Sequence, residues 1–336
     1  MISVTHDLKG IGVRIGAAGA LAAALMGSTL AASAAEMRAP KGPIEITVGT
    51  SPGGTPDVLM RRAAKILNEE KIIENPIAVV NRVGGSWMIA TNYVLNRPGD
   101  ENLVFVITTP QFTVPLIQGL PTVHDKLTPV AVYIQNDIVL LTQPNSPWKG
   151  FKDFVDAAKQ RERSVKFAGA QMGSTDSIIA GAIEKATATK LNYIPFDGGG
   201  AAMAAFLGGN ADLVAVTLDE AMPMLKSGKA KVLGLLAENR RTEAELKDIP
   251  TAKEQGFNAF YVQEFGTNGP PNMDPAIVAW WDDKLRKLVQ SKGWQDMAKE
   301  AFLRTEYVGA DKVRTKVDEM AEQHRQILND LGLVKK

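Results

Sequence analysis

The chain has 336 residues, 45% of them hydrophobic, a formal net charge of +1 and no cysteine. That length and apolar content suit one large domain or two ordinary ones. The balanced charge offers no field for nucleic acid or an anionic membrane surface, and the absence of thiols excludes disulfides, thiolate metal sites and cysteine nucleophiles together.

Residues 1–35 read as a targeting segment. Lys9 and Arg14 form a positive n-region, Ile15 to Met26 is an apolar core, and Ala32-Ser33-Ala34 supplies a small-residue cleavage pattern. The mature chain is expected to begin near Ala35. The apolar run is short for a membrane span, and no later stretch reaches that length. A lipid anchor would need a cysteine at the cleavage point. The expectation is therefore a protein that is soluble in the periplasm, where a chain without thiols meets no oxidation problem.

From Pro43 onward, strand and helix patterns alternate. Ile44 to Val48 is apolar at alternate positions, as in a half-buried strand. Thr50-Ser51-Pro52-Gly53-Gly54-Thr55-Pro56-Asp57 follows, then a helix with Leu59, Ala63, Ile66 and Leu67 on one face. Thr55 suits the N-cap and Pro56 the first helical position. Ile77 to Val80 reads as a strand, followed by Asn81 to Ser86 and a helix through Ile89, Tyr93 and Val94. Leu103 to Ile107 is a buried strand ending in Thr108-Thr109-Pro110. Strands over 129–134 and 138–142 come next, before Pro144 and Pro147 break the pattern. A helix from about Lys149 to Lys159 opens a second set, with strands at 165–168, 191–194, 213–216 and 232–237. Such alternation implies parallel sheets with crossover helices. The C-terminal part is helical, with one stripe through Ile277, Trp281, Leu285 and Leu288 and another through Val313, Val317, Met320, His324, Ile327 and Leu331. His324 is expected to pack at the edge of the core, and Trp280 and Trp281 to form a docking surface.

Three glycine-bearing turns between strand and helix point to anion binding. The first is Thr50 to Asp57, where tight backbone and a helix N-terminus face a guest. The second is Gly169 to Asp176, where Ser174 can cap the helix and the Ser174 and Thr175 hydroxyls can serve a ligand. The third is Pro195-Phe196-Asp197-Gly198-Gly199-Gly200. With Thr108 and Thr109 at a further strand end, these outline a crevice at the carboxyl ends of strands.

Catalytic parts are scarce. His124 and His324 stand alone, no histidine or cysteine spacing offers a metal site, and nucleophile-elbow and nucleotide-phosphate motifs are absent. Asp219-Glu220 and Asp282-Asp283 read as solvated charges or caps. Binding without chemistry, and without a cofactor, is the better reading.

Six segments in order carry a family resemblance: 52–57 (PGGTPD), 81–85 (NRVGG), 127–131 (LTPVA), 193–199 (YIPFDGG), 207–212 (LGGNAD) and 249–256 (IPTAKEQG). Through them the chain resembles the Bug family of periplasmic solute receptors, the extracytoplasmic subunit of tripartite tricarboxylate transporters. The resemblance implies an α/β type II periplasmic-binding-protein fold. Its two lobes would comprise residues 43–140 with 262–336 and residues 141–261, with a ligand cleft between them. It implies a monomer that delivers a small carboxylated solute to membrane permease subunits. The matched loops make Thr50, Ser51, Gly53, Gly54 and Thr55 on one lobe, and Gly169, Ser174, Thr175 and Asp176 on the other, the expected ligand-binding residues. Thr108, Thr109, Phe196 and Asp197 complete the set. Two departures concern the ligand: family members often carry an aromatic residue where Thr50 stands and a basic one where Asp197 stands. The first removes a stacking surface; the second disfavours a highly charged anion or favours an amino or neutral group. A ligand-loaded sensor that docks on a membrane kinase would use the same pocket, and a periplasmic enzyme on this fold is a third reading.

Overall fold

The computed structural model describes residues 37–335, so the export segment expected over residues 1–35 lies outside the described residues. In chain order, β1 (Ile44–Val48) leads to α1 (Thr55–Glu69), β2 (Ile77–Asn81) to α2 (Met88–Leu95), and β3 (Leu103–Ile107) to α3 (Pro110–Gln118). β1 pairs in parallel with β2 and β3. The alternation of β1 puts Ile44, Ile46 and Val48 into one core with Leu59, Met60, Ala63 and Leu67 of α1.

The next strand, β4 (Thr128–Thr142), is a single long strand where two were expected. The polar triplet Gln135-Asn136-Asp137 separates the two expected strands. It continues the strand because remote partners satisfy it. The Asp137 carboxylate, 1% exposed, accepts from Arg241 and Arg304 at 2.6 Å each. Main-chain bonds of 2.9 Å run both ways between Gln135 and Arg304.

The second set comprises α4 (Phe151–Gln160), β5 (Lys166–Gly169), α5 (Thr175–Thr187), β6 (Asn192–Pro195), α6 (Gly199–Leu207), β7 (Leu213–Thr217), α7 (Leu218–Lys226) and β8 (Lys231–Leu235). The chain ends with β9 (Val262–Gly269), α8 (Pro275–Gln290), α9 (Lys292–Glu300) and α10 (Val313–Asp330). β5 lies parallel to β6 and β7, as alternation predicts. β4, β8 and β9 depart from that rule and pair antiparallel. The cause is that β4 serves both sets: residues 128–137 pair with β9, and residues 138–142 with β7 and β8. The resulting order is β2-β1-β3-β9-β4-β7-β5-β6, with β8 on β4. The fold is mixed α/β with two lobes that share a strand.

The tryptophan pair is buried. Trp280 and Trp281 dock α8 onto the core of α1, together with Ile277, Leu285 and Leu288. Helix α10 reaches beyond the first lobe. Its Val313, Val317 and Met320 pack with Ile107, Phe112 and Val132, whereas Leu328 joins Phe167, Ile178 and Ile183 in the other core. Among the described residues no helix is long and apolar enough to cross a membrane.

Candidate functional site

Turns after β1, β3, β5 and β6, and the end of β7, meet at one cavity of about 450 Å³ lined from both lobes. Of the residues singled out in the sequence, Thr50, Gly53, Gly54, Thr55, Thr108, Ser174, Thr175 and Asp176 line it.

In the first turn the cap differs from expectation. Gly54 is the N-cap of α1, and Thr55 is the first helical residue. Asp57 takes over part of the capping, accepting the Gly53 N–H at 2.9 Å, while the Gly54 N–H donates to the Ser51 carbonyl at 3.1 Å. Both glycine N–H groups are thus used inside the turn. The donors left for a guest belong to the first turn of α1, which has no intrahelical acceptors. The Thr55 hydroxyl is released to donate across the cavity to Glu220 Oε1 at 2.6 Å. Gly53 needs its glycine because φ is +84°.

Asp57 anchors this turn to the body of the lobe. Its side chain is 3% exposed and accepts from Arg61 Nε and Asn81 Nδ2, each at 2.9 Å. Asn81 also donates to the Thr50 carbonyl at 2.9 Å. Burial alone would raise the Asp57 pKa, but the hydrogen bonds from Arg61, Gly53 and Asn81 outweigh it and hold the carboxyl below its usual value.

The second turn repeats the design with other parts. Ser174 is the N-cap of α5, as expected, accepting from the Ser177 N–H at 3.4 Å. Asp176 accepts the Ala170 N–H at 2.7 Å, and the Gly173 N–H donates to Ser177 Oγ at 2.9 Å. No cation pairs with Asp176 among the described residues. Burial, only partly offset by the Ala170 bond, lifts its pKa to about 6. Two contacts join this turn to the other lobe. Thr113 Oγ1 of α3 donates to the Gly173 carbonyl at 2.6 Å, and Gln263 Nε2 of β9 donates to Thr175 Oγ1 at 3.2 Å.

Five expected residues stand off the cavity wall. Ser51 is exposed on the outer side of its turn. The Thr109 hydroxyl meets Tyr261 Oη at 2.7 Å, and that phenol meets His324 Nε2 at 3.0 Å. His324 sits deeper than the core edge: it is 6% exposed and stacks on Phe112 with centroids 5.3 Å apart. Its burial lowers the pKa to about 4, so the ring is neutral. Gly169 makes room for the Tyr193 hydroxyl, which a Cβ would meet at 2.3 Å. Phe196 packs beneath the third turn with Ala168, Ala202 and Ala211, and Asp197 is exposed. That turn reaches the cavity through Gly198, Gly199 and Gly200 instead.

Sequence reasoning missed Trp87, Gln263, Met203, Met224 and Glu220, all of which line the cavity. Trp87 partly restores the aromatic surface absent at Thr50. It and Ser86 hold left-handed backbone (φ 78° and 49°), and its ring lies where a Cβ on Gly49 would be 2.5 Å away. Glu220 was readable in principle, because it follows a buried strand end at the same βα position as the other turns. The lining contains no Lys, Arg or His among the described residues. Among the described residues no three His, Asp or Glu side chains converge as a metal site. The cavity can offer first-turn N–H groups, hydroxyls, an apolar wall and the Glu220 carboxylate, which forms no ion pair among the described residues.

Comparison with known proteins agrees with this arrangement. Residues 59–333 match the family described as "Tripartite tricarboxylate transporter family receptor". Protein BugT of Bordetella pertussis is 26% identical over 299 residues, covering 87% of this chain and 86% of BugT. Among solved structures, MatC from Rhodopseudomonas palustris with bound malate superposes with a TM-score of 0.76 at 20% identity, over 86% of this chain and 99% of that one. Rpa4515 of R. palustris with adipate gives 0.80 at 21% identity, over 88% and 99%.

Proposed function

The chain belongs to the tripartite tricarboxylate transporter receptor family, and from that premise we propose that it captures a small carboxylated solute in the periplasm for the membrane permease subunits of such a transporter. It is a binding protein and not an enzyme. One observation carries the proposal: the first turns of α1 and α5, from opposite lobes, line one cavity to which no basic side chain contributes among the described residues. Helix N-termini present free N–H groups and the positive ends of their dipoles, which suits a carboxylate. Relatives of the same fold hold malate and adipate, both small dicarboxylates.

Charge-assisted hydrogen bonds contribute about 1.5–3 kcal/mol each. Three or four at a carboxylate, less the costs of association and closure, are compatible with about micromolar affinity. The lobes, 43–140 with 262–336 and 141–261, would close on the solute as a monomer. A ligand touching both binds the closed form more tightly and shifts the equilibrium by that difference.

The test is a thermal-shift panel of mono-, di- and tricarboxylates, aromatic acids and amino acids on the purified protein. At least one acid is expected to raise the melting temperature at saturation. If none does, the carboxylate reading is withdrawn.

A further inference from the structure

The cavity attracts negative charge through helix ends, yet among the described residues two carboxylates line it and no cation does. Their situations differ. Asp176 is committed to its own turn through the Ala170 N–H, as Asp57 is to Gly53 in the first turn. Glu220 has no such duty. It lies in the first turn of α7, lines the cavity with an exposed side chain, and accepts one hydrogen bond, from Thr55 Oγ1 at 2.6 Å. Among the described residues it forms no ion pair. Its neighbour Asp219 accepts instead from Asn136 at 3.4 Å. Beyond the Thr55 hydroxyl this carboxylate has no charged partner among the described residues, and a cationic ligand group would supply the charge-assisted bond it lacks.

The geometry also limits how far that partner is from the anion site. Thr55 belongs to both: its main-chain N–H lies in the open first turn of α1, and its hydroxyl holds Glu220. A carboxylate and an ammonium on neighbouring atoms of one small molecule fit that spacing. Met203, Met224, Val114 and Trp87 leave an apolar wall for the rest of it.

We propose that Glu220 determines specificity by receiving the ammonium group of a solute whose carboxylate lies at the first turns of α1 and α5, so that the solute is an amino acid or similar zwitterion rather than a plain di- or tricarboxylate. The inference rests on the carboxylate reading given above and narrows it. It reverses the weight given to Asp197, since the carboxylate that faces the solute is on α7 and not in the turn between β6 and α6. Discrimination arises from both sides: the ammonium gains a charged partner, and a plain acid leaves Glu220 unpaired and adds a like charge near it.

Isothermal titration of the purified protein with matched pairs tests this directly: aspartate and succinate, glutamate and glutarate, 2-aminoadipate and adipate, norvaline and valerate. In the best-binding pair the amino member is expected to bind at least tenfold tighter. Glu220→Gln keeps an acceptor for Thr55, and should lower affinity for that amino acid tenfold or more while leaving or improving that of its deamino partner. Ser174→Ala with Thr175→Ala should weaken both members alike. A wild-type protein that binds the deamino acid as tightly as its amino partner overturns the role of Glu220 and leaves the carboxylate reading standing. Undiminished affinity for the amino acid in Glu220→Gln does the same. If no member of any pair binds while another acid of the wider panel does, Glu220's role falls and the carboxylate reading stands; if no acid of either set binds, both fall.

Discussion

The two turns that face each other across the cavity solve one problem with different electrostatics. In each, an aspartate near the start of a helix reaches back to a main-chain N–H, Asp57 to Gly53 and Asp176 to Ala170. Asp57 is surrounded by donors, including the Arg61 guanidinium, and its pKa is lowered. Asp176 has one main-chain donor and no cation, and its pKa is raised. Local geometry is therefore a poor guide to charge: the same reach-back bond occurs in a turn that stabilises an ionised carboxylate and in one that resists it.

The largest expected effect breaks the first turn. Asp57→Ala removes the acceptor of the Gly53 N–H and one acceptor each of Arg61 and Asn81, which keep their bonds to Asn81 Oδ1 and to the Thr50 carbonyl. It should destabilise the protein by about 2–3 kcal/mol at pH 7, since three hydrogen bonds to a buried carboxylate are lost, although the exposed Gly53 and Arg61 and the half-buried Asn81 keep access to water. Urea denaturation measures it. A loss below about 0.5 kcal/mol would mean that the turn is held by its own backbone. For Asp57, whose native pKa is lowered, the stabilisation is present above its unfolded value of 3.8 and is lost as pH falls through the native pKa.

Next in size is the loss of hydroxyls from the second turn. Ser174→Ala with Thr175→Ala removes the α5 cap and the acceptor for Gln263. Affinity for the best acid of the panel should fall by one to two orders of magnitude, about 1.4–2.7 kcal/mol. Titration calorimetry decides it, and unchanged affinity would confine the site to the first lobe.

How much of this was legible before the structure depended on the range of the contact that decides it. Leu103 to Ile107 is bounded by a local pattern, and the strand has those bounds. Ser174 as a cap is equally local. Thr55 failed as a cap because Asp57 and Gly53, both in the quoted stretch, form a competing bond that composition does not rank. The continuity of β4 through Asp137 depends on Arg241 and Arg304, more than a hundred residues away. Glu220 looked like any surface acid because its partner, Thr55, is 165 residues distant. Positions that β1, β3, β5 and β6 carry to one edge were visible; which side chains turn inward there, and that the end of β7 joins them, were not.

A smaller effect compares the glycines. Gly53 (φ +84°) and Gly173 (φ +89°) occupy left-handed backbone in the two turns, but their surroundings differ. A Cβ at Gly53 meets nothing within 4 Å, whereas at Gly173 it meets Ile117 at 3.1 Å and Val114 at 3.3 Å. Gly53→Ala should cost about 1 kcal/mol through conformation alone, and Gly173→Ala somewhat more because α3 must also give way. Gly54 has an ordinary φ of −71°, but a Cβ there would lie 2.5 Å from Thr50 Oγ1. Gly54→Val should abolish binding by displacing Thr50 and leave most of the fold intact. Circular dichroism melts with ligand titration separate these outcomes, and normal binding by Gly54→Val would reduce the first turn to a connection.

The smallest effect sharpens the contrast most. Asp176→Asn keeps an oxygen to accept the Ala170 N–H, so at pH 4 stability should lie within about 1 kcal/mol of wild type. The pH dependence then separates the two aspartates. Because the native pKa of Asp176 is raised from 3.8 to about 6, the unfolded chain ionises first as pH rises, and the wild type loses stability across that interval. Above about 6 both states are ionised and the loss stays constant. Asp176→Asn cannot ionise, so it should gain on the wild type between pH 4 and 6 and hold that gain at pH 8. Asp57→Asn should do the opposite, matching the wild type most nearly at the lowest pH and falling behind as pH rises through the region below 4. Urea midpoints for the three proteins at pH 3, 5 and 8 give the comparison. Parallel pH curves for the two variants would show that the turns share one electrostatic character, and would remove the contrast between them.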